Sequence, residues 1–299
     1  MGKNYAEIAE KYALDVVSGQ IPACLYVKLA CQRHLDDLTR KKWKYRFNPV
    51  LVDNYGKEYR PGDRVCHFLE ELHHIKGKWK GSPFLLEPWQ IFVVCVAFGW
   101  VDKNGLRRFR EIYLEVPRKN GKSLLSAGLG LYLFVADGEG GSEVFAGANG
   151  ERQANQVFKP AWLMVHQDKE LKEHYSIEIY GNKPDTGSLG TNTDYSKFER
   201  LVGNPKDGDS VQAYLCDEFH EHDTPMQYDT MTTGMGARVQ PITIITTTAG
   251  INKDGPCYEK RMQCINILKG TIENDQIFCL IYTVDEEDDW RELDTWKKA

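Results

Sequence analysis

Two periodicities divide the chain. In one set of segments, apolar and β-branched residues alternate or run continuously for five to eight positions. These are 110–116, 143–148, 211–217, 241–248 and 277–284, and each predicts a strand. In the other set, apolar residues recur every three to four positions, which predicts helices. The first is Tyr5 to Leu14, broken by Gly19-Gln20-Ile21-Pro22, with a second helix from Ala23 to Arg40. Others are expected over 60–79, with Val65, Phe68, Leu69, Leu72 and Ile75 on one face, and over 91–98, 124–134 and 149–166. From residue 110 onward strands and helices alternate, which argues for an α/β fold with a mostly parallel sheet. Residues 178–209 are polar and turn-rich and predict one or two short strands and a mobile loop.

The composition is that of an ordinary globular chain. The 299 residues are 41% hydrophobic and 27% charged, enough to bury a full core as one large domain or a domain with an accessory piece. Met1 to Glu10 is polar and does not resemble a signal peptide. The longest apolar run, Ile91 to Trp100, is too short to span a bilayer, so no membrane association is expected. The eight cysteines, at 24, 31, 66, 95, 216, 257, 264 and 279, form no Cys-x-x-Cys pair and read as buried free thiols.

Charge is unevenly placed. Residues 1–80 carry 15 Lys and Arg against 10 Asp and Glu, while the rest of the chain carries 23 against 33. Any contact with a polyanion is therefore expected to be local. Lys41-Lys42-Trp43-Lys44-Tyr45-Arg46-Phe47 interleaves cations with aromatics. That suits stacking on bases, but suits an amphipathic strand with snorkelling lysines better. His67, His73 and His74 lack an acid at metal-ligand geometry and read as surface histidines.

Candidate chemistry centres on Val116-Pro117-Arg118-Lys119-Asn120-Gly121-Lys122-Ser123, between a predicted strand and a predicted helix. A helix start offers backbone N–H groups and the positive end of the macrodipole to a phosphate. Lys122 adds a cation for the terminal phosphates and Ser123 a hydroxyl for Mg²⁺. The glycine that usually opens such a loop is Val116 here, with Pro117 fixing φ after it.

A second anchor stands 95 residues after Lys122, where an apolar strand ends in Asp217-Glu218. Adjacent side chains at a strand end point apart, so one carboxylate can serve a metal ion while the other polarises an attacking water. A third is Thr246-Thr247-Thr248-Ala249-Gly250, where strand-end hydroxyls can sense a terminal phosphate. Gln90, at a helix start, carries an amide able to pair with adenine N6 and N7. The acidic run Asp285 to Asp289 reads as the solvated start of a linker.

Together these motifs resemble the ATPase half of a tailed-phage large terminase, over about residues 80 to 299. The resemblance rests on Pro-Trp-Gln at 88–90, Pro-Arg-Lys-Asn-Gly-Lys-Ser at 117–123, Arg-Gln-Ala at 152–154, Cys-Asp-Glu-Phe-His at 216–220 and Thr-Thr-Ala-Gly at 247–250. It implies a P-loop NTPase fold of the ASCE/RecA-like type: three layers, a mostly parallel sheet flanked by helices, and an N-terminal helical region. It divides the chain into a basic accessory region (1–80), an ATPase core (81–284) and the start of a linker (285–299). ATP would lie on Gln90 and on Pro117, Arg118, Lys119, Asn120, Gly121, Lys122 and Ser123. Mg²⁺ would be held by Ser123 and Asp217, partly through water. Glu218, Lys122 and Arg118 would be catalytic, and Thr247, Thr248 and Ala249 would couple hydrolysis to movement. Arg152 and Arg200 are candidates for an arginine acting in trans.

The implied partners are double-stranded DNA, a portal protein and a small terminase subunit. The implied assembly is a homo-oligomeric ring, or a monomer in isolation, in the cytoplasm of a bacterial host. The C-terminal nuclease of full-length large terminases is not expected within these residues, and neither is nuclease activity. Two other readings compete. Asp217-Glu218-Phe219-His220 also fits a superfamily 2 helicase, which needs a second RecA-like domain with its own motifs. The site would also suit a nucleotide-binding assembly protein that does not turn over.

Overall fold

The computed structural model describes residues 3–53, 55–203 and 208–298, without the side chains of 151 and 152. The elements run α1 (Tyr5–Val17), α2 (Leu25–Thr39), β1 (Arg46–Phe47), β2 (Leu51–Val52), β3 (Glu58–Tyr59), α3 (Pro61–Glu71), α4 (Pro88–Gly99), β4 (Trp100–Val101) and β5 (Glu111–Glu115). They continue with α5 (Lys122–Val135), β6 (Glu143–Ala148), α6 (Glu151–Gln167), α7 (Lys169–His174), β7 (Ile177–Tyr180), β8 (Ser188–Thr191), β9 (Lys197–Val202) and β10 (Val211–Asp217). The last are α8 (Met226–Thr233), β11 (Ile242–Thr247), α9 (Pro256–Leu268), β12 (Ile277–Ile281) and α10 (Leu293–Trp296). Among the described residues, no helix is long and apolar enough to cross a membrane.

The chain forms two compact units, interleaved in sequence. The first gathers Met1–Phe68, Leu85–Pro117 and Lys260–Ala299; the second, Leu69–Phe84 and Arg118–Glu259. In the first unit β5 and β12 pair in parallel, Glu111 with Ile277 through Glu115 with Ile281. α4 is apolar on every side and buried from Gln90 to Gly99, as expected of a helix enclosed by protein. Tyr12 of α1 shares a 2.8 Å hydroxyl hydrogen bond with Tyr282 just past β12. The cation–aromatic stretch is absorbed here. Arg46 and Phe47 pair with Val101 and Trp100. Trp43 lies edge-on to Trp100, and the fully buried Arg108 guanidinium stacks 4.4 Å from the Trp43 ring. Arg108 donates to Asp37 at 2.6 Å, so this desolvated charge is paired rather than left to unbalance the core. Packing, not base stacking, accounts for Trp43 and Tyr45.

The second unit contains the strand order β11-β10-β6-β9-β8-β7. β10 lies between β11 and β6, parallel to both, and all seven of its residues are buried. Burial on both faces explains why its sequence is continuously apolar rather than alternating. The expectation for 178–209 falls short. Three strands form, and β9 joins the sheet in parallel beside β6, from Lys197 opposite Glu143 to Val202 opposite Ala148. Its single fully buried residue, Phe198, carries the anchoring. The polar residues ahead of it are turn chemistry: Asp194 accepts from Thr191 and Ser196 side chains at the β8–β9 connection. Part of the expected mobile loop, 204–207, lies outside the described residues.

α5 packs on this sheet through its small residues. A Cβ on Gly130 would stand 2.6 Å from Leu215 and 2.7 Å from the Phe198 ring, so glycine sets how closely helix and sheet approach. The expected helix over 60–79 stops at Glu71. His73 instead makes a bridge to Pro83, and Gly77 takes φ 73° in a short turn, a conformation that glycine adopts at least cost.

Candidate functional site

In the second unit, strand ends and a helix start meet around one cleft of about 470 Å³, within the range of small-molecule sites. The cleft is lined on one side by Arg118, Lys119, Gly121, Lys122 and Ser123, on another by Glu218, and beyond them by His74, Ile75, Lys76, Gln156 and Pro160.

The loop before α5 is built from alternating backbone hands. Lys119 has φ 70° and Gly121 φ 78°. A left-handed lysine costs about 1–2 kcal/mol and marks a turn that its surroundings hold in place. Gly121 is the N-cap of α5 and brings no side chain to cap it, which suits a helix start that caps on an anion. Lys122 opens the helix with only 5% of its surface exposed. Burial draws its ammonium below the ordinary lysine value, while Glu218 and Asp217 oppose the change. Its charge thus stands within electrostatic reach of both carboxylates. Arg118 and Asn120 are exposed on the loop, with Arg118 on the cleft wall.

Asp217 closes β10 and is 1% exposed. Its Oδ1 accepts a 2.7 Å hydrogen bond from Thr246 Oγ1 on the adjacent β11, and Thr246 in turn accepts from Ser126 of α5. Its Oδ2 is buried with no hydrogen-bond partner. A buried, unsatisfied carboxylate oxygen calls for a proton or a cation. Burial accordingly pushes Asp217 up to about 6. Among the described residues, no cluster of three or more His, Cys, Asp or Glu could hold a metal ion. A Mg²⁺ site completed by phosphate oxygens needs no such cluster. Ser123 in the cleft and the orphaned Asp217 oxygen are the donor types that site takes.

The pH dependence follows from Asp217. Its folded value, about 6, lies above its ordinary 3.8. Stability from this group is therefore complete below about pH 4 and is lost as pH rises through 6. In chelator, the wild-type chain should lose about 2–3 kcal/mol between pH 4 and 7 that Asp217→Asn keeps. Urea unfolding at the two pH values measures the difference, and identical pH dependence in both proteins would refute it.

Glu218 comes next in a left-handed backbone conformation, φ 48° and ψ 50°, rare for a non-glycine residue and concentrated at functional sites. The turn separates its side chain from that of Asp217 and brings it to the cleft. Its Oε2 is buried without a hydrogen bond, although His220 Nδ1 lies 3.3 Å away at ion-pair distance. A short 3₁₀ turn, Phe219–Glu221, comes after it. Thr247 and Thr248 are buried at the end of β11 and Ala249 is exposed.

The second unit thus brings together Arg118, Lys119, Gly121, Lys122, Ser123 and Glu218, with Asp217 behind them and Thr247 on the next strand. Other expected residues are employed differently. Gln90 is 4% exposed, and its Oε1 accepts from the Glu87 backbone N–H at 3.0 Å in a capping box at the start of α4. Arg200, on β9, donates to Asn155 of α6 at 3.2 Å and does not line the cleft. The side chain of Arg152 lies outside the described residues. The wall formed by His74, Ile75 and Lys76 is absent from the expected site. It comes after α3 by a turn that local periodicity does not announce, and of the three only the histidine stands out, as a ligand type.

Known proteins share long stretches of this sequence. Residues 88–265 match the family model described as terminase large subunit, ATPase domain. The large terminase subunit of Enterobacteria phage HK97 is 26% identical over 243 residues, covering 80% of this chain and 45% of that protein. Protein YmfN of Escherichia coli K12 is 52% identical over 130 residues, 42% of this chain and 29% of that one. The crystal structure of the HK97 large terminase superposes with a TM-score of 0.65 over 79% of this chain and 46% of that chain, at 23% identity, and shares the fold. The chain spans less than half the length of these curated relatives.

Proposed function

The chain belongs to the terminase large subunit ATPase family, and we propose that it binds and hydrolyses ATP to move double-stranded DNA. The observation that carries this reading is the cleft, where the Gly121-Lys122-Ser123 helix start faces Glu218, with the buried Asp217 behind it. A helix start with a buried lysine suits phosphates, and two carboxylates in unlike environments suit two tasks.

In this reading the N–H groups at the start of α5 and Lys122 hold the phosphates, and Arg118 neutralises the terminal one. Ser123 and Asp217 hold Mg²⁺, which when bound supplies positive charge to the phosphate oxygens. Glu218 orients and polarises the attacking water, and its left-handed backbone fixes the aim of its carboxylate. Thr247, Thr248 and Ala249 carry the consequence of hydrolysis into the segment after β11. Gln90 would read adenine through the amide hydrogens that its capping oxygen leaves over. Arg152 and Arg200 are the trans arginine candidates. Residues 1–80 serve as accessory region, 81–284 as ATPase core and 285–299 as the start of a linker. The working assembly is a ring of copies with portal protein and small subunit, acting in the cytoplasm of a bacterial host. The helicase reading has no observation in its favour that the terminase reading lacks.

The test is steady-state ATP turnover by the purified chain across a range of protein concentrations, with and without double-stranded DNA. Turnover per subunit should rise with both, because neighbours and DNA complete the site. A rate flat in concentration and unmoved by DNA would contradict the motor reading.

A further inference from the structure

His220 is joined to both sides of the proposed machinery. It sits on the 3₁₀ turn that Glu218 opens, 11% exposed, with Phe219 buried beside it as an anchor. The backbone N–H of His220 donates to Thr247 Oγ1 at 3.2 Å, and its ring Nδ1 lies 3.0 Å from the same oxygen. The hydroxyl proton of Thr247 is directed to the Thr248 carbonyl at 2.9 Å. Thr247 Oγ1 is therefore an acceptor toward His220, and Nδ1–H is the donor.

That N–H has a second acceptor within reach. Glu218 Oε2 lies 3.3 Å from Nδ1, is buried, and makes no hydrogen bond. One N–H serves one well-aligned acceptor at a time; Thr247 Oγ1 is the nearest oxygen to Nδ1 at 3.0 Å, with Thr248 Oγ1 at 3.5 Å. On the far side of the ring, Nε2 lies 3.2 Å from Glu221 Oε1.

A second, independent feature ties the chain after β11 to the same residue. A Cβ on Gly250 would stand 2.8 Å from His220 Cβ, so the backbone of the 248–250 segment rests directly against this side chain. His220 thus touches Glu218, Thr247 and Gly250 with backbone and ring together.

We infer that His220 is a positioning residue which links the aim of Glu218 to the conformation of the 247–250 segment. In the geometry seen here its Nδ1–H holds Thr247. When Glu218 shifts to serve the nucleotide's terminal phosphate, the same N–H turns to Oε2, which leaves Thr247 on the His220 backbone N–H alone and loosens the segment after β11. This rests on the ATP-hydrolysis reading above, and it adds a residue and a direction of coupling that this reading does not supply.

The experiment is amide hydrogen exchange over residues 248–255 of the full chain, with and without Mg²⁺ and ADP–beryllium fluoride, alongside steady-state kinetics. Three substitutions separate the ring atoms. His220→Asn places an amide N–H where Nδ1 stands, His220→Gln places one where Nε2 stands, and His220→Ala removes both. In the wild type the ligand should change exchange over 248–255 at least threefold, and His220→Asn should keep most of that change. His220→Gln and His220→Ala should lose it and lower kcat at least tenfold, with ligand affinity within threefold of wild type. Gly250→Ala, which pushes the segment off the ring, should lose the exchange response too, and it serves as the second route if the His220 variants do not fold. Wild-type exchange response and kcat in His220→Gln, or an unaltered response in Gly250→Ala, would overturn the proposal. A wild-type chain that does not bind the ligand at all would remove the ATP reading itself, and the link with it.

Discussion

Lys122→Met is expected to abolish tight ATP binding, weakening it about 30- to 1000-fold. A charge-assisted hydrogen bond contributes about 1.5–3 kcal/mol, and a lysine at a helix start serves more than one phosphate oxygen. Each 1.4 kcal/mol is a factor of about ten in affinity. Methionine preserves the length of the buried stem, so the loss reports charge rather than a cavity. The substitution also removes the cation opposing Asp217 and Glu218. Bound nucleotide is measured by isothermal titration, with thermal melting to show that the fold persists. Wild-type affinity in this variant would mean that the cleft is not where the phosphates lie.

Glu218→Gln carries the second large effect, of a different kind. Glutamine fits the same space and accepts the same left-handed turn, but it cannot take up a proton or polarise water as a carboxylate does. Turnover is expected to fall about 10²- to 10⁴-fold, while ATP affinity stays within threefold of wild type. The two substitutions therefore separate holding the nucleotide from acting on it. A pre-steady-state trace of phosphate release gives the chemical step directly. A rate within twofold of wild type would assign the catalytic carboxylate elsewhere.

The parts of this site legible in the sequence are those that local chemistry dictates. A β-branched run into a glycine-lysine-serine start has few other meanings, and β10, buried on both faces, is continuously apolar up to the acid that ends it. Distant groupings are less legible. β9 is a strand because Phe198 fills a gap against α5 and α6, and its polar neighbours give a weak local signal. The wall from His74 to Lys76 is set by where α3 stops. The Gln90 amide suits adenine, but a glutamine three residues past a helix cap also closes the cap, and here its oxygen does so. The strain at Glu218 is likewise invisible in the sequence, since an Asp-Glu pair carries no mark of a left-handed backbone.

One cleft is proposed both to hold ATP and to hydrolyse it, with different residues for the two tasks. The most direct measurement sets equilibrium ATP binding beside phosphate release, in Mg²⁺, on matched preparations of wild type, Lys122→Met and Glu218→Gln. Wild type should bind and turn over, Glu218→Gln should bind without turning over, and Lys122→Met should do neither. Undiminished release by Glu218→Gln, or undiminished binding by Lys122→Met, would contradict this division of tasks.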